Sequence, residues 1–321
     1  MLPTPNRRQF LKTAAGAALP FVAASKLSAA SQPAPSPAAL TVGMATLGFG
    51  DRTNAQLAKE LSEQGIRVVQ LFLSQSDSRY WKYNGRADVS DLTADRCQVI
   101  ADAYRSAGIT IHSIGVYTNL IHPDEAERQA NLDYFEAMMK IARAMGVQKL
   151  VTEAGHFQSN APEPPVPHHF QEEVWKTMVA TGKELARRAD AQDATVLFEP
   201  FFRGFLASAK RTRLFLQEVD SPRIRALLDP ANLLEVNDLE EMFEQLQPWI
   251  ECLHAKDRKL HVDRGVPAGQ GDLDYDKFVT LAAARTPHAP LILEYVGPND
   301  YQQAQSHLLD AIRKAGGSVA K

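Results

Sequence analysis

The chain is predicted to fold as a (β/α)8 barrel forming a single α/β domain, and three observations predict it. Eight short apolar runs of strand length recur from Leu40 onward. Each is followed by a loop and a longer stretch of helical periodicity. Polar residues recur at the carboxyl ends of the last five runs. An open doubly wound sheet would gather such residues at one switch point and carry a glycine-rich phosphate loop after its first strand. Gly43, Gly48 and Gly50 lack that spacing.

The runs are Leu40–Ala45, Arg67–Leu73, Ile109–Gly115, Lys149–Ala154, Thr195–Glu199, Ile224–Asp229, Ile250–Ala255 and Pro290–Val296. Most are nearly continuous in apolar side chains, as parallel strands covered on both faces require. Helical periodicity predicts the intervening helices at Asn54–Gln64, Thr93–Ala107, Asp124–Met145, Phe170–Ala189, Ala209–Val219, Asp238–Gln245, Tyr275–Ala284 and Tyr301–Lys314. Gly65, Gly108 and Gly146 each follow a helix, where a left-handed residue stops it.

At 321 residues the chain is long enough for one large core. Its formal net charge of −3 is nearly balanced, which excludes the basic stripe that nucleic-acid binding needs. Cys97 and Cys252 are too few for a disulfide framework and read as two separate small apolar side chains.

The organisation read from the sequence is residues 1–30 as an export signal, 31–39 as a proline-rich linker, 40–316 as the barrel and 317–321 as a tail. Arg7 and Arg8 open the run RRQFLK. An apolar stretch from Thr13 to Ala24 follows, and Ser28, Ala29 and Ala30 offer a cleavage site. This segment resembles a twin-arginine signal, which implies passage through the twin-arginine translocase and a periplasmic or secreted protein. The apolar stretch is shorter than the roughly 20 residues that span a bilayer, so no stable membrane anchor is expected.

Four polar residues end otherwise apolar strands: Glu199 in VLFEP, Asp229 in RALLDP, His254 in ECLHAKD and Glu294 in LILEYVG. In a closed barrel these four strand ends are neighbours on one rim, so the side chains converge on the same mouth. Three converging carboxylates without a cation cost several kcal/mol, and one divalent ion is the economical compensation. Oxygen ligands with a single imidazole point to Mn2+ first, with Mg2+, Co2+ or Zn2+ as alternatives.

On these residues, and on HAKD (His254–Asp257) followed by GQGDLDY (Gly269–Tyr275), the chain resembles the xylose isomerase-like TIM-barrel superfamily from about Leu40 to Lys314. This is the sugar phosphate isomerase/epimerase group, with ketose 3-epimerases, hydroxypyruvate isomerases and inosose dehydratases. The resemblance implies a metal held by Glu199, Asp229, His254 and Glu294, and a small carbohydrate substrate. The sequence departs from the pattern where Gln70 replaces a common Glu on strand two. Asn232 also stands where the sugar epimerases carry a His. The substrate-gripping arginine has a candidate, Arg258, at a different offset.

Further candidates for substrate contact are Glu153 and His156 at the end of strand four, Asn232 and Lys256. Lys256 reads first as an ion-pair partner of Asp257 and second as a contact to a substrate oxygen. Tyr80, Trp81 and Tyr83 follow strand two, where aromatic rings can stack on a sugar. The long segment Arg258–Asp274 reads either as a lid or as a surface that packs on a neighbouring subunit of a homo-oligomer.

The function these features predict is a metal-dependent isomerase or epimerase that acts through an enediolate, with Glu199 and Glu294 as the acid/base pair. A metal-dependent lyase or dehydratase on a keto-sugar, keto-glycoside or keto-inositol is the alternative. A non-catalytic sugar- or metal-binding barrel is the third.

Overall fold

The structure, a computed structural model, describes residues 39–156 and 167–320. The expected export signal and residues 31–38 of the expected linker lie outside the described residues.

Eight parallel strands close a barrel. They are β1 (Val42–Ala45), β2 (Val68–Leu71), β3 (Thr110–Gly115), β4 (Lys149–Thr152), β5 (Thr195–Phe198), β6 (Ile224–Leu228), β7 (Ile250–Ala255) and β8 (Leu291–Leu293). Each pairs with its neighbours in sequence, and β8 closes the ring against β1 through Leu291 opposite Val42. Helices α1 (Asn54–Glu63), α2 (Ala94–Ser106), α3 (Glu125–Ala144), α4 (Glu172–Ala191), α5 (Ala209–Val219), α6 (Leu239–Leu246), α7 (Tyr275–Arg285) and α8 (Tyr301–Lys314) complete the eight repeats.

Local chemistry sets the helix starts. The side chains of Thr53, Thr93, Asp124, Ser208, Asp238 and Asp274 each accept a first-turn backbone N–H, which satisfies donors the helix leaves unpaired. Gly65 and Gly108 take φ of 78° and 72°, the left-handed conformation that ends α1 and α2. Both cysteines are buried and free.

Two short pairings were not read from the sequence. Ala39–Leu40 pairs in parallel with Ser318–Val319, so residues expected to form a tail run beside those that lead into β1. Asp257–Lys259 and Asp263–Val266 form an antiparallel hairpin after β7.

A ring of eight side chains fills the barrel interior: Ala45, Phe72, Tyr117, Val151, Leu197, Leu227, Cys252 and Ile292. They come one from each strand or its immediate continuation, and all are buried. Strand side chains alternate between faces, so residues two positions further on point the same way, one layer nearer the mouth. In β4 to β8 those residues are Glu153, Glu199, Asp229, His254 and Glu294. The apolar ring is therefore the floor of the polar site.

Candidate metal centre and cavity

Register brings the ligand-type residues together. Leu228 pairs with Leu253, which sets Asp229 beside His254, and Leu293 pairs with Ala255, which sets Glu294 beside Lys256. One ligand-type atom from each of Glu199, Asp229, His254 and Glu294 lies within 4.8 Å of all the others. All four residues are buried, with Asp229 and His254 at 0% exposure. Two oxygen or nitrogen ligands of a common divalent ion stand about 4–5 Å apart at most, so the spacing suits one ion.

The hydrogen bonding also suits one. Asp229 Oδ2, His254 Nδ1 and Glu294 Oε2 are buried without a hydrogen bond of acceptable geometry. His254 Nε2 lies 2.7 Å from Gln70 Oε1, so Gln70 accepts the Nε2–H. In the neutral ring this leaves the Nδ1 lone pair facing Glu199 Oε1 at 3.3 Å, Glu294 Oε2 at 3.4 Å and Asp229 Oδ2 at 3.9 Å. The Gln at position 70 thus meets the site through the imidazole.

Lys256 is the resident cation. Its Nζ stands 2.7 Å from Asp229 Oδ2 and 3.1 Å from Glu294 Oε2, beneath the Tyr295 ring with 4.4 Å to the centroid. The expected pair with Asp257 does not form, because adjacent strand residues point to opposite faces. Asp257 instead accepts the backbone N–H groups of Arg258, Gly269 and Leu273 and ties down the long segment after β7. Three carboxylates and one ammonium leave the cluster two charges negative when His254 is neutral. A divalent ion balances that charge.

Without an ion, protons compensate. Burial lowers the His254 imidazole, but Glu294 and Glu199 outweigh it and bring it up to about 9. Burial raises Asp229 to about 6, opposed by Lys256. Glu199 is raised by burial but overruled by His254, Lys256 and Tyr117, which take it down to about 2.

Above the cluster lies a cavity of about 340 Å3. Among the four ligand-type residues, Glu199 and Glu294 line it, whereas Asp229 and His254 sit beneath. Asn232 and Lys256 line it as well. Asn232 Nδ2 donates to Glu199 Oε1 at 2.8 Å, and Tyr117 OH donates to Glu199 Oε2 at 2.6 Å. Phe72, Trp81, Tyr83 and Tyr117 form an aromatic wall in which successive ring centroids are 5.8 to 6.4 Å apart. Glu153 also faces the cavity, and Tyr83 OH donates to its Oε2 at 2.8 Å. His156 stands behind Tyr83, its Nε2 3.5 Å from the phenol oxygen, and is not part of the cavity lining.

Arg258, expected at the substrate, lies elsewhere. It is buried with its Nε 3.4 Å from Glu235, its Nη1 donating to Ala231 O at 3.3 Å, and its guanidinium 4.4 Å from the centre of the Phe202 ring. An ion pair and an aromatic face together hold it outside the cavity lining. The cation that the segment contributes to the lining is Arg264, on the second strand of the hairpin. Tyr295, also in the lining, takes the left-handed conformation at φ 55°, and its ring covers Gly265, where a Cβ would fall inside it. Tyr117 and Tyr295 were missed from the sequence, whereas Arg264 is one of the cations of the segment Arg258–Asp274 that, read as a lid, was expected to reach substrate oxygens. Of the two tyrosines, only Tyr117 leaves a signal in the sequence, two residues beyond the end of β3.

No curated protein matches the chain in sequence. In three dimensions it is similar to a D-tagatose 3-epimerase-like protein, at 14% identity and TM-score 0.70 over 86% of this chain and 98% of that one. It is also similar to the 3-keto-D-glucoside 4-epimerase of E. coli, at 16% identity and TM-score 0.64 over 86% and 98%. A third likeness is to the probable 3-DHS dehydratase of Bacillus anthracis, at 18% identity and TM-score 0.66 over 84% and 97%. At these identities the likenesses establish the fold. Residues 58–314 match the model of one family, and the chain belongs to it: the xylose isomerase-like TIM barrel family.

Proposed function

We propose that this protein is a metal-dependent isomerase or epimerase that enolises a keto-sugar or a related polyhydroxylated carbonyl compound. The observation that carries this reading is the division within the cluster. Asp229 and His254 are sealed beneath the cavity, while Glu199 and Glu294 face it from strands β5 and β8. Asp229 and His254 therefore hold the ion, Mn2+ by the chemistry of the donor set, and the two glutamates reach substrate as well.

A divalent ion bound there supplies Lewis-acid polarisation of the substrate carbonyl. One glutamate takes the proton from the carbon next to that carbonyl, and the other returns a proton to the same carbon or its neighbour. Glu199 suits the base role, since His254 and Lys256 keep it ionised and Asn232 and Tyr117 fix its orientation. Lys256, facing the cavity, can donate to the oxygen on which enolate charge develops. The aromatic wall offers a sugar ring an apolar face. A second reading, elimination instead of reprotonation, is favoured by the additional carboxyl of Glu153. The relatives of similar fold include both epimerases and a dehydratase, and both reactions can start from the same enolate.

The same proposal takes the enzyme through the twin-arginine translocase and places its work outside the cytoplasm. The Arg7–Arg8 pair and the apolar stretch after it support this.

The test is a screen of keto-sugars and 3-keto-glycosides with Mn2+ in deuterated water, reading product stereochemistry and elimination products together. Deuterium at the carbon beside the carbonyl is expected for at least one of them. A protein that binds these sugars and exchanges no proton is a binding barrel, and the reading fails.

A further inference from the structure

Glu153 belongs to the rim layer by position and stands apart from the metal set by its partner. It follows Val151 by two residues, as Glu199 follows Leu197, so it is the fifth inward-facing polar residue on consecutive strands. Its carboxyl Oε2 accepts the Tyr83 phenol at 2.8 Å. A second Tyr–Glu pair, Tyr117 on Glu199 at 2.6 Å, lies alongside, with the two phenol rings 6.2 Å apart. One pair thus reaches the metal cluster and the other does not. Trp81 completes this side of the cavity and holds a buried indole N–H without an acceptor. Enolisation and reprotonation need two proton-transfer groups, which Glu199 and Glu294 provide. A third carboxyl in the same layer, hydrogen-bonded by a phenol, has no task in that reaction.

We propose that Glu153, with Tyr83, is the general acid for a leaving oxygen, so that the site expels an alcohol from a ring-closed glycoside bearing a carbonyl two carbons from its glycosidic carbon. This rests on the enolisation reading above and extends it. Glu199 or Glu294 removes the proton from the carbon between carbonyl and glycosidic carbon, and the C–H electron pair forms the enolate double bond. As the carbonyl re-forms, the glycosidic C–O bond breaks, its electron pair leaves on the oxygen, and that oxygen takes the proton of Glu153. The products are an unsaturated ketone and an alcohol, with no change of oxidation state overall. Solvent returns the proton from the first glutamate to Glu153. In the metal-free protein, burial, with the charge of Glu199, raises the Glu153 carboxyl to about 8 against the Tyr83 hydrogen bond and Lys256, the direction a general acid requires. The aromatic wall beside Tyr83 covers the ring and the leaving group.

The test compares a methyl and a 4-nitrophenyl 3-keto-glucoside with metal-loaded wild type, Glu153→Gln and Tyr83→Phe. Deuterium exchange at C2 and release of the aglycone are measured in the same samples. For the methyl glycoside, the release-to-exchange ratio should fall by roughly 10² to 10⁴ in Glu153→Gln and by a smaller factor in Tyr83→Phe. For the nitrophenyl glycoside, whose leaving oxygen needs no proton, the ratio should stay within about tenfold of wild type. An unchanged ratio with the methyl glycoside overturns the assignment, as does an equal loss with both aglycones. Wild-type exchange without release of either aglycone overturns this inference alone and leaves the enolisation reading standing. Absence of exchange in wild type brings down both.

Discussion

Replacing Lys256 by Met should destabilise the metal-free protein and make it depend on a divalent ion for its fold. The Nζ lies 2.7 Å from Asp229 Oδ2 and 3.1 Å from Glu294 Oε2, and neither side chain is more than 10% exposed. At an effective dielectric of about 20, those contacts correspond to roughly 6 and 5 kcal/mol of attraction. Desolvation of the ammonium offsets several kcal/mol of this. The loss on truncation is then set by the carboxylates left unpaired, typically about 3–5 kcal/mol for a buried pair. At roughly 2–4 °C per kcal/mol in a domain near this size, the melting temperature in chelator should fall by about 6–20 °C. An ion that binds only the folded form restores about 2.7 kcal/mol at one hundred times its dissociation constant. Thermal melts of both proteins in chelator and in excess Mn2+ measure each quantity. A chelated variant that melts within about 2 °C of wild type would refute the claim that Lys256 is the counter-charge.

Two further predictions concern protons in the same cluster. In chelator, His254 is raised to about 9 from an unfolded value of about 6.5, so its stabilisation is complete below the lower figure and lost as pH rises to the higher one. Wild-type melting temperature should therefore decline between about pH 6.5 and 9, and a His254→Ala variant with the wild-type slope would count against the pairing. Glu199→Gln keeps an oxygen for the metal and removes the base, so bound metal should largely remain while turnover drops by roughly 10² to 10⁴. Full turnover in that variant would remove Glu199 from the mechanism.

The closed barrel was legible because each repeat writes its own signal: an apolar strand, a capping side chain, a helical stripe and, at Gly65 and Gly108, a left-handed stop. The converging set was legible because β5 to β8 each place one polar residue where the apolar run ends, and strand alternation turns all four the same way. Contacts that depend on tertiary geometry were not. Arg258 reads as a cation near the mouth, and only the Glu235 carboxylate and the Phe202 ring show why it is held aside. Asp257 beside Lys256 reads as an ion pair, yet β-strand alternation sends it to the loop backbone. The hairpin carrying Arg264 escaped notice because DRK and DRGV lack the apolar alternation of a strand. The hydrogen bond from His254 to Gln70 spans 184 residues and leaves no local trace.

The most direct test of the metal centre is the number of divalent ions bound per chain in wild type and in His254→Ala, by elemental analysis after loading with Mn2+ and desalting. Wild type should retain one ion per chain. The variant should retain far less, because it loses the single nitrogen donor whose lone pair faces the three carboxylates. A wild type that retains no ion, or a folded His254→Ala that retains the wild-type amount, would contradict the assignment of this cluster as a metal site.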